Sequence, residues 1–267
     1  MENEKALNVN LYSLASFLVE IFYNDRLLST GTCFFSKRND KTYMITNWHV
    51  VSGRNADTKQ CLDSMGSLPN KLRIFVPEDA GNETIQYHEN SYRDVQLYDE
   101  NDNRLWYEME VEGRVVDVAV IPLDSIDFPL VTIEDAEEPF NTKVLFEITS
   151  EIFIIGFPFA KKTGFVPIWK KATVASEPEI DIEGLPYFYA DTATKDGMSG
   201  SPVVLFKERP VTMFSEKQQK MSRHWTKFIG VYSGRIGVSP DTRNDAQLGR
   251  IWKAEVIDKI ITKHESP

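Results

Sequence analysis

Two cysteines in 267 residues, Cys33 and Cys61, are too few for a disulfide framework, so this chain is read as a fold held by its core, with both thiols free in a reducing compartment. It contains no run of about eighteen apolar residues, which argues against a membrane-spanning helix. The first thirty residues, MENEKALNVNLYSLASFLVEIFYNDRLLST, lack an apolar stretch ending at a small-residue cleavage site, so no secretory signal is expected and the cytoplasm is the default location. Positive charge is also short: 30 Lys and Arg against 40 Asp and Glu give a net charge of −10, and no long basic stripe offsets it. That balance argues against nucleic acid as a partner and leaves proteins or peptides. His88, His224 and His264 stand at no metal-ligand spacing from one another or from the cysteines, and no cofactor motif is present. YDENDNRLW (98–106) lacks the glycine and terminal glutamate of a calcium loop and reads as a polar hairpin turn.

With 42% hydrophobic residues the chain can bury a sizeable core. Short β-branched and aromatic runs recur between turn signals: 17–23, 31–37, 42–46, 71–76, 115–123, 151–157, 165–175, 186–193, 201–206 and 227–234. The pattern predicts antiparallel β architecture with hairpins, one of them across Lys37-Arg38-Asn39-Asp40. Helical spacing comes only at the end. In IWKAEVIDKIITKH, Ile251, Trp252, Val256, Ile257, Ile260 and Ile261 form one face and predict a C-terminal helix over 251–264. Polar insertions occupy 53–70, 79–104 and 207–226; within the last, the basic stretch 217–227 reads as a solvated hairpin bordering any cleft. An acidic, Pro-containing bridge at 124–150 lies between two blocks of strands.

Three stretches carry chemistry. In TKDGMSGSPVV, Ser199 is flanked by Gly197 and Gly200; it is either a nucleophile or the end of a turn leading into a strand. If a nucleophile, the Gly197 and Ser199 amides are its oxyanion donors, since Gly197 can turn its N–H to a reacting carbonyl without steric cost. In TYMITNWHVVSG, His49 follows a strand end; taken alone it reads as a structural histidine, and Trp48 beside it as core packing. In VVDVAVIPL, Asp117 interrupts an apolar strand; a carboxylate there needs partners, either backbone groups or an imidazolium. A hydroxyl, an imidazole and a carboxylate are the three groups acyl transfer by a serine requires, and His49, Asp117, Ser199 follow one another in the order of the chymotrypsin arrangement.

With GTCFF, TNWHVVSG, DVAVIPL, IIGFP (154–158), GMSGSP, IGVYSG (229–234) and LGRIWKAEVIDKII (248–261), the chain resembles the trypsin-like serine peptidases over nearly its whole length, most of all their bacterial, disulfide-free branch. The resemblance implies an all-β double six-stranded antiparallel barrel with a C-terminal helix. Residues 10–124 would form the first barrel and 145–250 the second, within one domain spanning 1–267 and with 251–264 as the helix. It implies a serine endopeptidase acting through an acyl-enzyme on a protein or peptide substrate. Ser233 is similar to the family's serine beside the triad carboxylate, and the segment through Tyr232 and Gly234 resembles the edge that pairs with substrate. Counting back from Ser199, the primary pocket's base would be Ala193, its walls Thr194 and Gly249, with Arg235 near the entrance. No carboxylate stands at that base, so a small or medium uncharged side chain is the expectation; Thr194 and Arg235 would alternatively favour an acidic one.

Two positions depart from the family pattern. Val50 stands where secreted relatives place the half-cystine expected to pair near Cys33, and Met198 stands where activation by a new N-terminus needs an Asp. No Ile-Val-Gly-Gly-like start is present either. Activation by N-terminal cleavage is therefore not expected; the oxyanion loop would be held by apolar packing, Met198 included, under control by loop ordering or a regulatory protein partner. The alternative is a catalytically silent or partner-gated pseudo-peptidase serving as a binding module or sensor.

Overall fold

The computed structural model describes residues 9–81, 84–137, 146–160, 165–208, 224–235 and 247–265. The central part of the predicted acidic bridge (138–145) and most of the basic stretch (217–223) lie outside them.

A short helix α1 (Leu11–Leu14) leads into β1 (Ser16–Tyr23), β2 (Arg26–Arg38) and β3 (Lys41–Thr46). Helix α2 (Trp48–Ser52) is followed by β4 (Lys71–Phe75), a ribbon of β5 (Glu78–Gly81) and β6 (Thr84–Gln86), then β7 (Tyr92–Gln96), a second ribbon of β8 (Glu110–Val111) and β9 (Arg114–Val115), and β10 (Ala119–Leu123). These make a six-stranded antiparallel sheet in the order β10-β3-β2-β1-β4-β7. The expected β2–β3 hairpin forms: Arg38 pairs with Lys41, and Asn39 and Asp40 take φ of 49° and 63°, the left-handed pair that a two-residue turn with the sheet's twist requires. The sheet is rolled rather than closed by a strand pair between β7 and β10. The 98–107 hairpin fills the gap, with the Leu105 N–H donating to the Leu97 carbonyl and Tyr107 bridging to Val120.

After α3 (Ile133–Ala136), strands β11 (Glu151–Gly156), β12 (Ile168–Val174), β13 (Tyr187–Asp191), β14 (Pro202–Glu208), β15 (His224–Arg235) and β16 (Leu248–Lys253) close a barrel in the order β11-β12-β13-β16-β15-β14. The expected all-β, two-barrel architecture thus holds, with the second barrel closed and the first an open roll.

Side-chain alternation explains why the first-barrel strands read as unbroken apolar runs. In β2, β3 and β10, Cys33, Phe35, Met44, Ala119 and Ile121 fill the first barrel, whereas Phe34, Ile45 and Val120 face the other way, against Val231, Tyr187 and Trp252 of the second. Both faces are buried, so polar letters are few on either, and those present, such as Thr32 and Thr46, are hydrogen-bonded.

Helix α4 (Glu255–Glu265) seals the same seam. Its buried Val256, Ile257, Ile260 and Ile261 pack with Tyr43 and Val120, while Asp258 accepts from Arg38 Nε (2.6 Å) and Glu265 accepts from Tyr43 Oη (2.8 Å). The helix starts at Glu255 rather than 251: Ile251 and Trp252 belong to β16, where pairing with Tyr232 and Val231 outweighs their helical spacing. Replacing fully buried Ile257 by alanine should therefore destabilise the fold by about 2–5 kcal/mol in urea unfolding. The same change at exposed Ile180 should stay within about 0.5 kcal/mol.

Candidate active site

His49 stands in the first turn after β3, in α2, and each neighbour fixes that turn. Asn47 Nδ2 donates to the Asp117 carbonyl (2.7 Å), and Trp48 Nε1 donates to Glu108 Oε2 (2.7 Å), which also accepts from Trp106 Nε1 (2.8 Å). Trp48 is thus core packing, as its sequence context predicts. Asp117, between β9 and β10, is 3% exposed and receives three donors: the His49 N–H on Oδ1 (2.8 Å), and His49 Nδ1 (2.7 Å) and Ser233 Oγ (2.5 Å) on Oδ2. A carboxylate needs Nδ1 to donate, so the neutral tautomer leaves Nε2 as acceptor.

The charges of the pair follow from this geometry. Burial alone would push His49 down and Asp117 up, but their mutual attraction and hydrogen bonds outweigh it. His49 is raised above its ordinary 6.5 and Asp117 is held below 3.8. Ser233 reaches Asp117 because β15 carries a bulge there: Tyr232 pairs with Ile251 and Gly234 with Arg250, leaving Ser233 as the extra residue, its side chain re-aimed at the first barrel.

The loop before Ser199 is pinned from both sides. From β2, Thr32 donates its N–H to the Ser199 carbonyl (2.8 Å) and its hydroxyl to the Gly197 carbonyl (2.8 Å); the same hydroxyl accepts the Phe157 N–H (3.2 Å), and the Thr32 carbonyl accepts from Thr46 Oγ1 (2.9 Å). Glycine is required where these segments touch. At Gly197 (φ +95°) a Cβ would lie 2.2 Å from the Phe157 carbonyl oxygen, and at Gly200 (φ +85°) 2.0 Å from that of Thr32. The Asp196 carbonyl accepts from the Phe159 N–H (2.7 Å). In a planar trans peptide the next N–H points the opposite way, so the Gly197 N–H is turned away from the 157–159 segment; Gly197 and Ser199 both line a cavity. Met198, between them, is 1% exposed and packs in the second barrel's core with Phe188, Val203 and Ile251.

That cavity, about 960 Å³, gathers His49, Asp117, Gly197, Ser199 and Ser233. No hydrogen bond joins Ser199 Oγ to His49 among the described residues. Gly234 and Arg235 also line it, on an open edge: β14 pairing with β15 ends at Pro202–Val231, while β16 pairing continues to Arg235. Of the expected pocket residues, Arg235 is in its lining and Ala193, Thr194 and Gly249 are not. Ala193 is exposed, Thr194 and Tyr232 are buried and hydrogen-bonded to each other through their hydroxyls, and Gly249 lies against the Tyr232 ring.

Sequence reasoning missed Thr32, Asn47 and Arg250. The first two are single polar letters in buried surroundings, each 0% exposed, and a buried hydroxyl or amide demands partners. Arg250, a cation in an otherwise apolar strand, lines the cavity with its guanidinium on Asp57 (3.0 and 3.3 Å) and 4.8 Å from the Tyr187 ring centroid.

Residues 31–212 match the trypsin-like peptidase domain. No curated protein sequence matches the chain. Among solved structures it is similar to the thermostable serine protease AL20 from an extremophilic microorganism (TM-score 0.51, 12% identity, 96% of this chain and 100% of that one). It is also similar to the serine endoprotease of Yersinia pestis (TM-score 0.49, 12% identity, 97% and 67%) and to the inactive form of the Rv3671c protease (TM-score 0.46, 14% identity, 96% and 91%). The domain match covers about two thirds of the residues and the fold agrees with it, so the chain belongs to the trypsin-like peptidase family.

Proposed function

We propose that the chain is a serine endopeptidase hydrolysing peptide bonds through an acyl-enzyme, with Ser199 as nucleophile, His49 as general base and acid, and Asp117 as the group that orients and stabilises the imidazolium. The observation that carries this reading is the chain of hydrogen bonds from Ser233 through Asp117 to His49, opening on the cavity that Ser199 and Gly197 line.

Ser199 Oγ adds to the substrate carbonyl carbon while its proton passes to His49 Nε2; the two come within reach when substrate fills the cleft. The carbonyl oxygen takes the negative charge and is received by the Gly197 and Ser199 N–H groups. Collapse breaks the C–N bond, His49 returns the proton to the departing amine, and water repeats the sequence to release the acid. An extended substrate would add its backbone to the open edge at Ser233–Arg235. Met198 supplies the loop with apolar anchorage where activation by a new N-terminus would need a carboxylate, so this chain is proposed to work without amino-terminal cleavage.

The direct test is labelling of the full chain by a fluorophosphonate, which transfers its phosphonyl group to the nucleophile's oxygen with loss of fluoride. Mass spectrometry should place the adduct on Ser199, and Ser199→Ala should abolish it; an unlabelled but folded chain would count against the reading. The pH dependence follows from the sign of the His49 shift. The active form is neutral imidazole, and the folded pKa is raised, so labelling should rise with pH with its midpoint above 6.5. Asp117→Asn removes the attraction and the tautomer's anchor, which should lower that midpoint and cut the rate by about 10⁴-fold. A midpoint unmoved by that change would refute the coupling.

A further inference from the structure

We infer that the site accepts only a small, uncharged side chain, of alanine or serine size, on the residue that donates the scissile carbonyl, because Tyr232 occupies the space a larger one would need. The inference rests on the peptidase reading above and assigns its substrate class.

Among the described residues, three elements lie beside Ser199 where that side chain would go: the loop through Thr194 and Asp196, the strand end Ser233–Arg235, and β16, whose Gly249 pairs with Arg235. With the carbonyl oxygen held by the Gly197 and Ser199 amides and the peptide on the β15 edge, the side chain is directed between the first two, toward the third. The Tyr232 ring already spans this gap. Its hydroxyl is hydrogen-bonded to Thr194 Oγ1 on the loop side. On the β16 side the ring lies so close to Gly249 that a Cβ there would be 2.6 Å from Tyr232 Cε2 and 2.9 Å from Thr192 Cγ2.

Tyr232 is also held there. It is 1% exposed, packs with Phe188, Met198 and Ile251, and its backbone is clamped by the Gly200 N–H on its carbonyl (3.0 Å) and by its own N–H on the Ser201 carbonyl (2.9 Å). Burial raises its pKa to about 12, so the ring end is a neutral phenol. A Lys or Arg side chain directed at the ring would meet only neutral groups there, Thr194, Tyr232 and Gly249. A Glu or Asp side chain would have to displace the Thr194–Tyr232 hydrogen bond to reach these hydroxyls. The cavity's lining includes Asp196, Gly197, Ser199 and Ser233–Arg235 but none of Thr194, Tyr232 or Gly249, so the open cavity does not reach the space between those three.

Cleavage-site profiling of the full chain on a peptide library, run beside fluorophosphonate labelling, tests this. The expected result is labelling together with cleavage after Ala, Ser or Gly, with kcat/KM after alanine about 10²-fold above that after leucine or phenylalanine. Tyr232→Val, which shortens the ring to a branched stub, should raise cleavage after leucine and phenylalanine by at least tenfold relative to alanine. If that variant does not fold, the wild-type profile decides alone. Labelled protein that cleaves chiefly after Phe, Leu, Lys, Arg or Glu overturns the specificity and leaves the peptidase reading standing. Folded protein that neither labels nor cleaves overturns both.

Discussion

Thr32 is the residue on which the rest of the site depends. Its N–H and hydroxyl hold the Ser199 and Gly197 carbonyls, its hydroxyl also receives the Phe157 N–H, and its carbonyl receives Thr46 Oγ1, so one side chain and one peptide unit join the first barrel to the Ser199 loop of the second. The residue is 0% exposed, which makes each of these bonds obligatory: a buried polar group left without a partner costs about 1–3 kcal/mol. Holding the carbonyls of residues 197 and 199 also sets the peptide planes around them, and the Asp196–Phe159 bond turns the Gly197 amide away from the 157–159 segment.

The other half of the site reaches across the same seam in the opposite direction. Asp117 and His49 come from the first barrel, and the bulge in β15 sends Ser233 over to close the carboxylate's third hydrogen bond. Aligning the two halves is left to the apolar interface of Phe34, Ile45 and Val120 against Val231 and Trp252, with α4 laid over it. Chemistry at a junction of two rigid barrels needs no long ordered loop of its own. Met198 fits this economy: burying a thioether in the barrel core anchors the loop without any charge to compensate.

Much of this was legible in the chain's letters, and the physical reason is the same throughout. Strands buried on both faces leave largely apolar runs, so five strands of each barrel were readable; β16 was partly taken for helix. The first barrel's exception, β7, is an edge strand whose Tyr-Arg-Asp-Val-Gln is at most half-buried and reads as part of a polar insertion. His49 and Asp117 were legible because imidazole and carboxylate in apolar surroundings demand partners, and the structure pairs them. Features made by two distant segments meeting were not. The fourfold use of Thr32, the Arg250–Asp57 pair across the cleft and the position of the Tyr232 ring over Gly249 depend on how one barrel or strand crosses another. The start of α4 was misplaced for a related reason: Ile251 and Trp252 satisfy helical spacing, but cross-strand pairing claims them.

The central claim is that the Thr32 hydroxyl keeps the oxyanion loop in its working form. It is tested most directly by the fluorophosphonate labelling rate of Thr32→Val, which keeps the shape and removes the hydroxyl, beside Thr32→Ser, which keeps the hydroxyl. With both proteins folded, the account predicts a loss of about 10²-fold in the valine variant and near-complete recovery in the serine one. A folded valine variant labelling within about twofold of the unmodified chain would contradict it.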